Sequence, residues 1–263
     1  MQKLKDKNIV ITGASSGIGE QLAMKVAQRG ARPILLARSQ DKLQGICAQI
    51  TKETGMECRA YCLDVSDLEE VKNVFKTIFQ EVGQIDILVN NAGFGIYDLF
   101  HEANLEDIEQ MFKVNVFGLM ACTQQVLPSM LERNEGHIIN IASQAGKLAT
   151  PKSSGYSSSK FAVLGFTNSI RLELRNTAIH VSSVNPGPIE TNFFNTADKT
   201  GTYVKNAKKM MLKSDDVADK IVKLMLSPKR ELNLPRWMNI GSTLYNLFPT
   251  ISEKIAGDRF NMK

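Results

Sequence analysis

The sequence predicts an α/β protein: one doubly wound domain in which a mostly parallel seven-stranded sheet carries helices on both faces. Three observations lead there. Short apolar runs alternate with longer amphipathic stretches, the signature of strands and helices in turn. Those runs are apolar at nearly every position, as strands buried on both faces are. The first of them passes directly into a glycine-rich loop and then a helical pattern.

The strands read as NIVITG (8–13), RPILLA (32–37), CRAYCLDV (58–65), IDILVNN (85–91), GHIINIAS (136–143), IHVSSVNPG (179–187) and RELNLP (230–235). Between them, helices are expected over 17–29, 40–54, 67–82, 105–133, 154–176 and 214–227, with Ser66-Asp67 and Ser214-Asp215 as start signals. Residues 191–213 interrupt the alternation and are expected to form a mobile lid over an apolar pocket, lined by Phe193, Phe194, Tyr203, Met210 and Met211. Over 233–263 an extension places Trp237, Ile240, Leu244, Leu247, Phe248, Ile251 and Ile255 at near-helical intervals, bent at Pro249.

Across 263 residues, no Pro-, Gly- or Ser-rich stretch resembles a linker, so the whole chain reads as one domain. With 43% hydrophobic and 22% charged residues it has an ordinary globular composition, and no run of about eighteen apolar residues could span a bilayer. The basic start MQKLKDKNIVITG has no cleavage-type site after its apolar segment, and a cytoplasmic location is expected. Cys47, Cys58, Cys62 and Cys122 lack metal-ligand or CxxC spacing; reduced, mostly buried thiols and no metal are expected. The net charge of +5 is spread along the chain without a nucleic-acid motif, so no nucleic-acid partner is expected.

The loop Gly13-Ala14-Ser15-Ser16-Gly17-Ile18-Gly19 caps a helix N-terminus, where unpaired N–H groups and the helix dipole attract phosphate. Gly13 permits the tight turn, Gly17 the approach of a pyrophosphate, and Gly19 close packing of helix on strand. At the end of the next strand, Ala37 stands where an acid would bind a ribose 2′-hydroxyl. Arg38 and Ser39 instead offer charge-assisted bonds to a 2′-phosphate, which favours NADP(H) over NAD(H). Further on, Tyr156 and Lys160 share one helix face in YSSSK. A phenol needs a nearby cation to act as an acid-base group at neutral pH, and Lys160 can be that cation.

With TGASSGIG at 12–19, NNAG at 90–93, Asn115, Ser143, YSSSK at 156–160 and a PG followed by Thr191, the first 195 or so residues resemble the short-chain dehydrogenase/reductase family, whose fold is of the Rossmann type. The resemblance implies hydride transfer between a nicotinamide and a carbonyl carbon, with Tyr156 giving or taking the hydroxyl proton. Lys160, together with the positive charge on oxidised nicotinamide, would lower the Tyr156 pKa, and it would bridge the nicotinamide ribose. Ser143 would bind the substrate oxygen, and Asn115 would hold a water leading from Lys160 to solvent, or else brace its helix as a satisfied buried amide. It further implies that Asn90, Asn91, Ala92 and Gly93 lie beneath the adenosine ribose, that Asp64 and Val65 meet the adenine, and that Pro186, Gly187, Ile189 and Thr191 meet the nicotinamide end. A turn or cap is the competing role for Asp64.

The leading expectation is thus an NADPH-dependent carbonyl reductase or alcohol dehydrogenase for an apolar or acyl-type ketone, working as a homodimer or homotetramer. A 3-oxoacyl-carrier-protein reductase and a non-catalytic NADPH-binding regulator are the alternatives. For the C-terminal stripe, packing within the protein or an oligomer is favoured over a membrane surface, because the stripe is short and its polar face holds few lysines.

Overall fold

The computed structural model describes residues 4–198 and 201–256. In chain order these form β1 (Asn8–Thr12), α1 (Gly17–Ala27), β2 (Arg32–Ala37), α2 (Gln40–Thr54), β3 (Arg59–Cys62), α3 (Leu68–Val82) and β4 (Ile87–Asn90). Next come α4 (Leu105–Phe112), a π-helical turn (Lys113–Gly118), α5 (Leu119–Arg133), β5 (Gly136–Ile141), α6 (Ser154–Glu173) and β6 (Ile179–Pro186). The chain closes with β7 (Ile189–Glu190), α7 (Phe193–Ala197), α8 (Thr202–Ala207), β8 (Leu212–Lys213), α9 (Ser214–Leu226), β9 (Glu231–Leu234), α10 (Arg236–Leu247) and α11 (Pro249–Ala256).

All seven expected strands are present and pair in parallel in the order β3-β2-β1-β4-β5-β6-β9. The chain winds outward from β1 to β3 and then returns to β4 on the other side of β1. The carboxyl ends of β1 and β4 therefore flank the crevice where such sheets bind ligands. Alternate side chains feed two cores. Ile9, Ile11, Leu35 and Val89 meet α1, α2 and α9 through Leu22, Val26, Ile50 and Ile221. Val10, Ile34, Leu36 and Leu88 meet α3, α5 and α6 through Phe75, Ile78, Val126 and Ile170. Both faces are covered, which is why the strands read as continuous apolar runs.

Asp67 caps α3, its carboxylate accepting from the Glu69 and Glu70 amides. Ser214, expected as a start signal, is the first residue of α9, and Asp215 and Asp216 lie in its first turn. The stretch 105–133 is not one helix: the π-turn separates α4 from α5 and carries Asn115 into the interior. At its end Gly118 lies against the β3–α3 connection, where an added Cβ would meet Val65 O at 2.5 Å. The lid region also holds more regular structure than its sequence suggests, with β7 and β8 pairing through Ile189 and Leu212 around α7 and α8.

Two further expectations are corrected. Cys47 and Cys58 are joined in a disulfide rather than present as free thiols; Cys47 on α2 and Cys58 just before β3 meet because these elements pack together. Cys62 is exposed, and Cys122 alone is the buried free thiol among the described residues. Of the two packings expected for the apolar stripe of α10 and α11, the one within the protein is not formed: Trp237, Ile240, Leu244, Leu247, Phe248 and Ile251 are all exposed in the single chain. The Ile255 side chain lies outside the described residues. No helix among them is long and apolar enough to cross a membrane.

Candidate active site

Tyr156 and Lys160 lie one turn apart on α6, both buried, with the Lys160 ammonium 5.8 Å from the Tyr156 ring centroid. Ser143 follows β5 with extended backbone, and its hydroxyl both accepts from the Ala145 amide at 3.0 Å and donates to Pro186 O at 3.4 Å. The Ser143 hydroxyl also lies close enough to the Tyr156 phenol to favour its ionised form. Strand and helix thus bring together the three side chains that sequence placed seventeen residues apart or less on separate elements.

Burial dominates their electrostatics. It pushes the Tyr156 phenol up to about 12, a rise opposed by the Ser143 hydroxyl and assisted by the nearby Tyr203. Burial also brings Lys160 down to about 8. The lid explains the burial of the phenol: Phe193 of α7 lies 5.5 Å from the Tyr156 ring and Tyr97 meets it edge-on at 6.0 Å, so the phenol is cut off from water.

Lys160 Nζ donates to Ile141 O at 3.0 Å, one acceptor for an ammonium with three N–H groups. Gly93 passes beside it, since an added Cβ there would lie 3.4 Å from Nζ and 3.0 Å from Asn115 Oδ1. Asn115 is fully engaged. Its Oδ1 accepts from the Phe94 amide at 3.0 Å, while Nδ2 donates to Phe94 O at 2.9 Å and to Ser159 Oγ at 3.0 Å. The buried amide therefore braces the loop after β4 against α6, the competing role expected for it.

The glycine-rich loop closes the other end of the crevice. Gly13 has φ +63° and touches Ala92, whose Cα would lie 2.8 Å from an added Cβ; Gly19 is pressed against Gly13 O at 2.6 Å in the same sense. Gly17, with φ +60°, faces Thr191. Ser16 starts α1 without its side chain capping it, and Ser15, Ile18 and Ser16 are all half-buried. The amides at this helix start are thus open to an anion, as a pyrophosphate requires. Thr12 Oγ1 accepts from the Asn91 and Ala92 amides at 3.0 Å each, and Asn91 Nδ2 donates back to Thr12 O and Gly13 O. Asn90 points elsewhere, donating to Thr123 and Asn140 inside the core.

Beyond β2, Arg38 is exposed, 4.0 Å from Asp64, and Ser39 starts α2 without its side chain capping it. This leaves a guanidinium and a hydroxyl side by side after β2, a pair able to bind a phosphate. Asp64 forms the turn foreseen as its competing role, accepting from the amide and hydroxyl of Ser66, while Val65 packs on Gly118. Pro186 ends β6, the Gly187 amide donates to Leu234 O at 2.6 Å, and Ile189 is buried in β7. Sequence reasoning missed Thr12, Gly95, Tyr97 and Ser159. Gly95 supplies room for the aromatic wall, because an added Cβ would lie 2.8 Å from Tyr156 and 2.9 Å from Phe193; its place two residues past NNAG was the available signal.

A family model described as short chain dehydrogenase matches residues 7–201. An uncharacterised oxidoreductase of Staphylococcus saprophyticus is 39% identical over 191 residues, 73% of this chain and 82% of that protein. Among solved structures, an alcohol dehydrogenase from the archaeon Thermococcus sibiricus, complexed with 5-hydroxy-NADP, superposes with a TM-score of 0.79 at 29% identity, covering 88% of this chain and 96% of that one. A short chain dehydrogenase/reductase from Burkholderia phymatum in complex with NAD gives 0.87 at 25% identity, covering 95% and 96%.

Proposed function

The chain belongs to the short chain dehydrogenase family, and from that premise we propose that it is an NADPH-dependent carbonyl reductase for apolar or acyl-type ketones, acting as an alcohol dehydrogenase when NADP+ dominates. The observation that carries the reading is the grouping of Ser143, the Tyr156 phenol and the buried Lys160 ammonium under a wall of aromatic rings. When bound, the reduced nicotinamide supplies the hydride.

This chain's residues do the rest. The open amides of Ser15 to Gly19 hold the pyrophosphate, and Arg38 with Ser39 takes the 2′-phosphate. Asn91, Ala92 and Gly93 line the adenosine ribose side, with Asp64 and Val65 by the adenine. Pro186, Gly187, Ile189 and Thr191 line the nicotinamide end. The free N–H groups of Lys160 suit ribose hydroxyls. Because burial keeps the Tyr156 phenol protonated at neutral pH, its proton is in place for the substrate oxygen, where Ser143 donates a second hydrogen bond to the developing charge. Lys160 then stabilises the phenolate left behind. Asn115 holds the Phe94 loop in place alongside Lys160. Tyr97 and Phe193 shut out water and favour an apolar substrate. For the expected homodimer or homotetramer, exposed Phe117, Phe161 and Leu172 offer contact area.

The test is oxidation of NADPH and NADH across apolar ketones, quinones and acyl thioesters. The reading expects turnover with ketones and a preference for NADPH. Turnover confined to acyl thioesters would favour the carrier-protein reductase, and tight NADPH binding with no turnover would favour the regulator.

A further inference from the structure

Helix α10 is inside out. Met238, Asn239, Ser242 and Tyr245 turn toward the protein, while Trp237, Ile240, Leu244 and Leu247 face outward, and Phe248 and Ile251, on either side of Pro249, continue that face. The inward edge is fastened: Lys147 donates to Asn239 Oδ1 at 3.0 Å and to Glu231, and Met238 packs on Gly187. The outward side chains are between 51% and 65% exposed, on the order of 600 Å² of apolar area, the upper end of what a soluble monomer leaves contiguous.

We propose that this face docks on the surface of an anionic lipid bilayer, beside the mouth of the catalytic site. Charge selects the occupant. From Leu232 to Ser252 the sole charge is Arg236, so the face has no acid to repel lipid phosphate. Between Asp198 and Asp215 the chain carries Lys199, Lys205, Lys208, Lys209 and Lys213 and no acid, an excess equal to the net +5 of the entire protein. Of these, Lys205, Lys208, Lys209 and Lys213 are exposed on or just after the lid.

The scarcity of lysine on the polar edge of α10, which counted against a membrane, has a structural cause: that edge is packed inward, and the lid supplies the basic charge instead. A second copy fits less well. A two-fold contact needs about 800 Å² per partner and would bring Arg236 and Lys254 toward their own copies, while Glu231 is held by Lys147 and Glu253 by Tyr245. Position gives the docking a purpose. Gly187 under Met238 and Lys147 under Asn239 lie within four residues of Pro186 and Ser143, and Phe193 of the lid covers Tyr156. An apolar ketone dissolved in the bilayer therefore meets the site at the surface. This last step rests on the proposed reductase activity; the docking does not.

The protein has a single tryptophan, Trp237, at the start of this face. Full-length protein is titrated with neutral phosphatidylcholine vesicles and with vesicles containing phosphatidylglycerol. The expected result is a blue shift of Trp237 emission and co-sedimentation with the anionic vesicles, weakened by salt. I240E/L247E should partition at least tenfold more weakly, while reduction of a small water-soluble ketone stays unchanged. K205Q/K208Q/K209Q should lose on the order of a hundredfold on anionic vesicles alone. Unshifted Trp237 emission and wild-type protein left in the supernatant would overturn the proposal. So would dissociation of an oligomer by I240E/L247E without any effect of vesicles, which would assign the face to a second copy. Since binding is read without turnover, failure to find a ketone substrate would leave the docking result standing.

Discussion

Replacing Asn115 with alanine separates a bracing residue from one that relays protons. The side chain is 1% exposed and makes three hydrogen bonds, two of them to the Phe94 backbone. In Asn115→Ala the Phe94 amide and carbonyl lose their partners, at about 1–3 kcal/mol for each group left unsatisfied. Phe94 is half-buried, so water recovers part of this, and Ser159 keeps its bond to Tyr156 O at 2.7 Å. A net loss of about 2–4 kcal/mol follows, or a fall in Tm of roughly 5–15 °C for a chain of this size. Asn115→Asp should cost at least as much, because a second oxygen would face Phe94 O and Ser159. Thermal and urea unfolding without cofactor measure both. An Asn115→Ala protein within about 0.5 kcal/mol of wild type would refute the bracing argument. Lost turnover with unchanged unfolding would move Asn115 to proton return.

Other consequences are equally direct. Arg38→Asp should weaken NADPH binding by ten- to a hundredfold, the worth of a charge-assisted bond, and leave NADH binding nearly unchanged; equal titration curves for wild type and variant would contradict the cofactor assignment. Since burial brings Lys160 down to about 8, its ammonium is present below that pH and lost above it. NADPH affinity should therefore decline as pH rises through about 8, and Lys160→Met should show no such decline. A flat wild-type profile would argue against an ammonium at the ribose. Unfolded, unreduced protein should expose two reactive thiols, Cys62 and Cys122, and reduction should lower stability by about 2–3 kcal/mol. Four thiols would restore the reduced state that spacing alone suggested.

The sheet was legible because strands covered on both faces must be apolar throughout, and each of the seven runs had a parallel partner to fill. Tyr156, Lys160 and Ser143 were legible through spacing and order. The break at Lys113–Gly118 was not, since a widened helical turn leaves the apolar period of α4 and α5 almost intact and is set by Gly118 against Val65. Nor was the sign of the Tyr156 shift. Sequence shows that a lysine lies one turn away but not that Phe193 and Tyr97 exclude water, and burial is what raises the phenol here. The stripe on α10 was visible, but its direction was not: an apolar face ordinarily points inward, and Lys147 and Gly187, distant in sequence, fasten the opposite edge.

The central claim is that the Tyr156 phenol delivers the proton. Single-turnover oxidation of bound NADPH by an apolar ketone, compared between wild type and Tyr156→Phe, tests it directly. The account predicts that the variant binds NADPH as tightly as wild type and reduces the ketone about 10²- to 10⁴-fold more slowly. Equal single-turnover rates in the two proteins would contradict it.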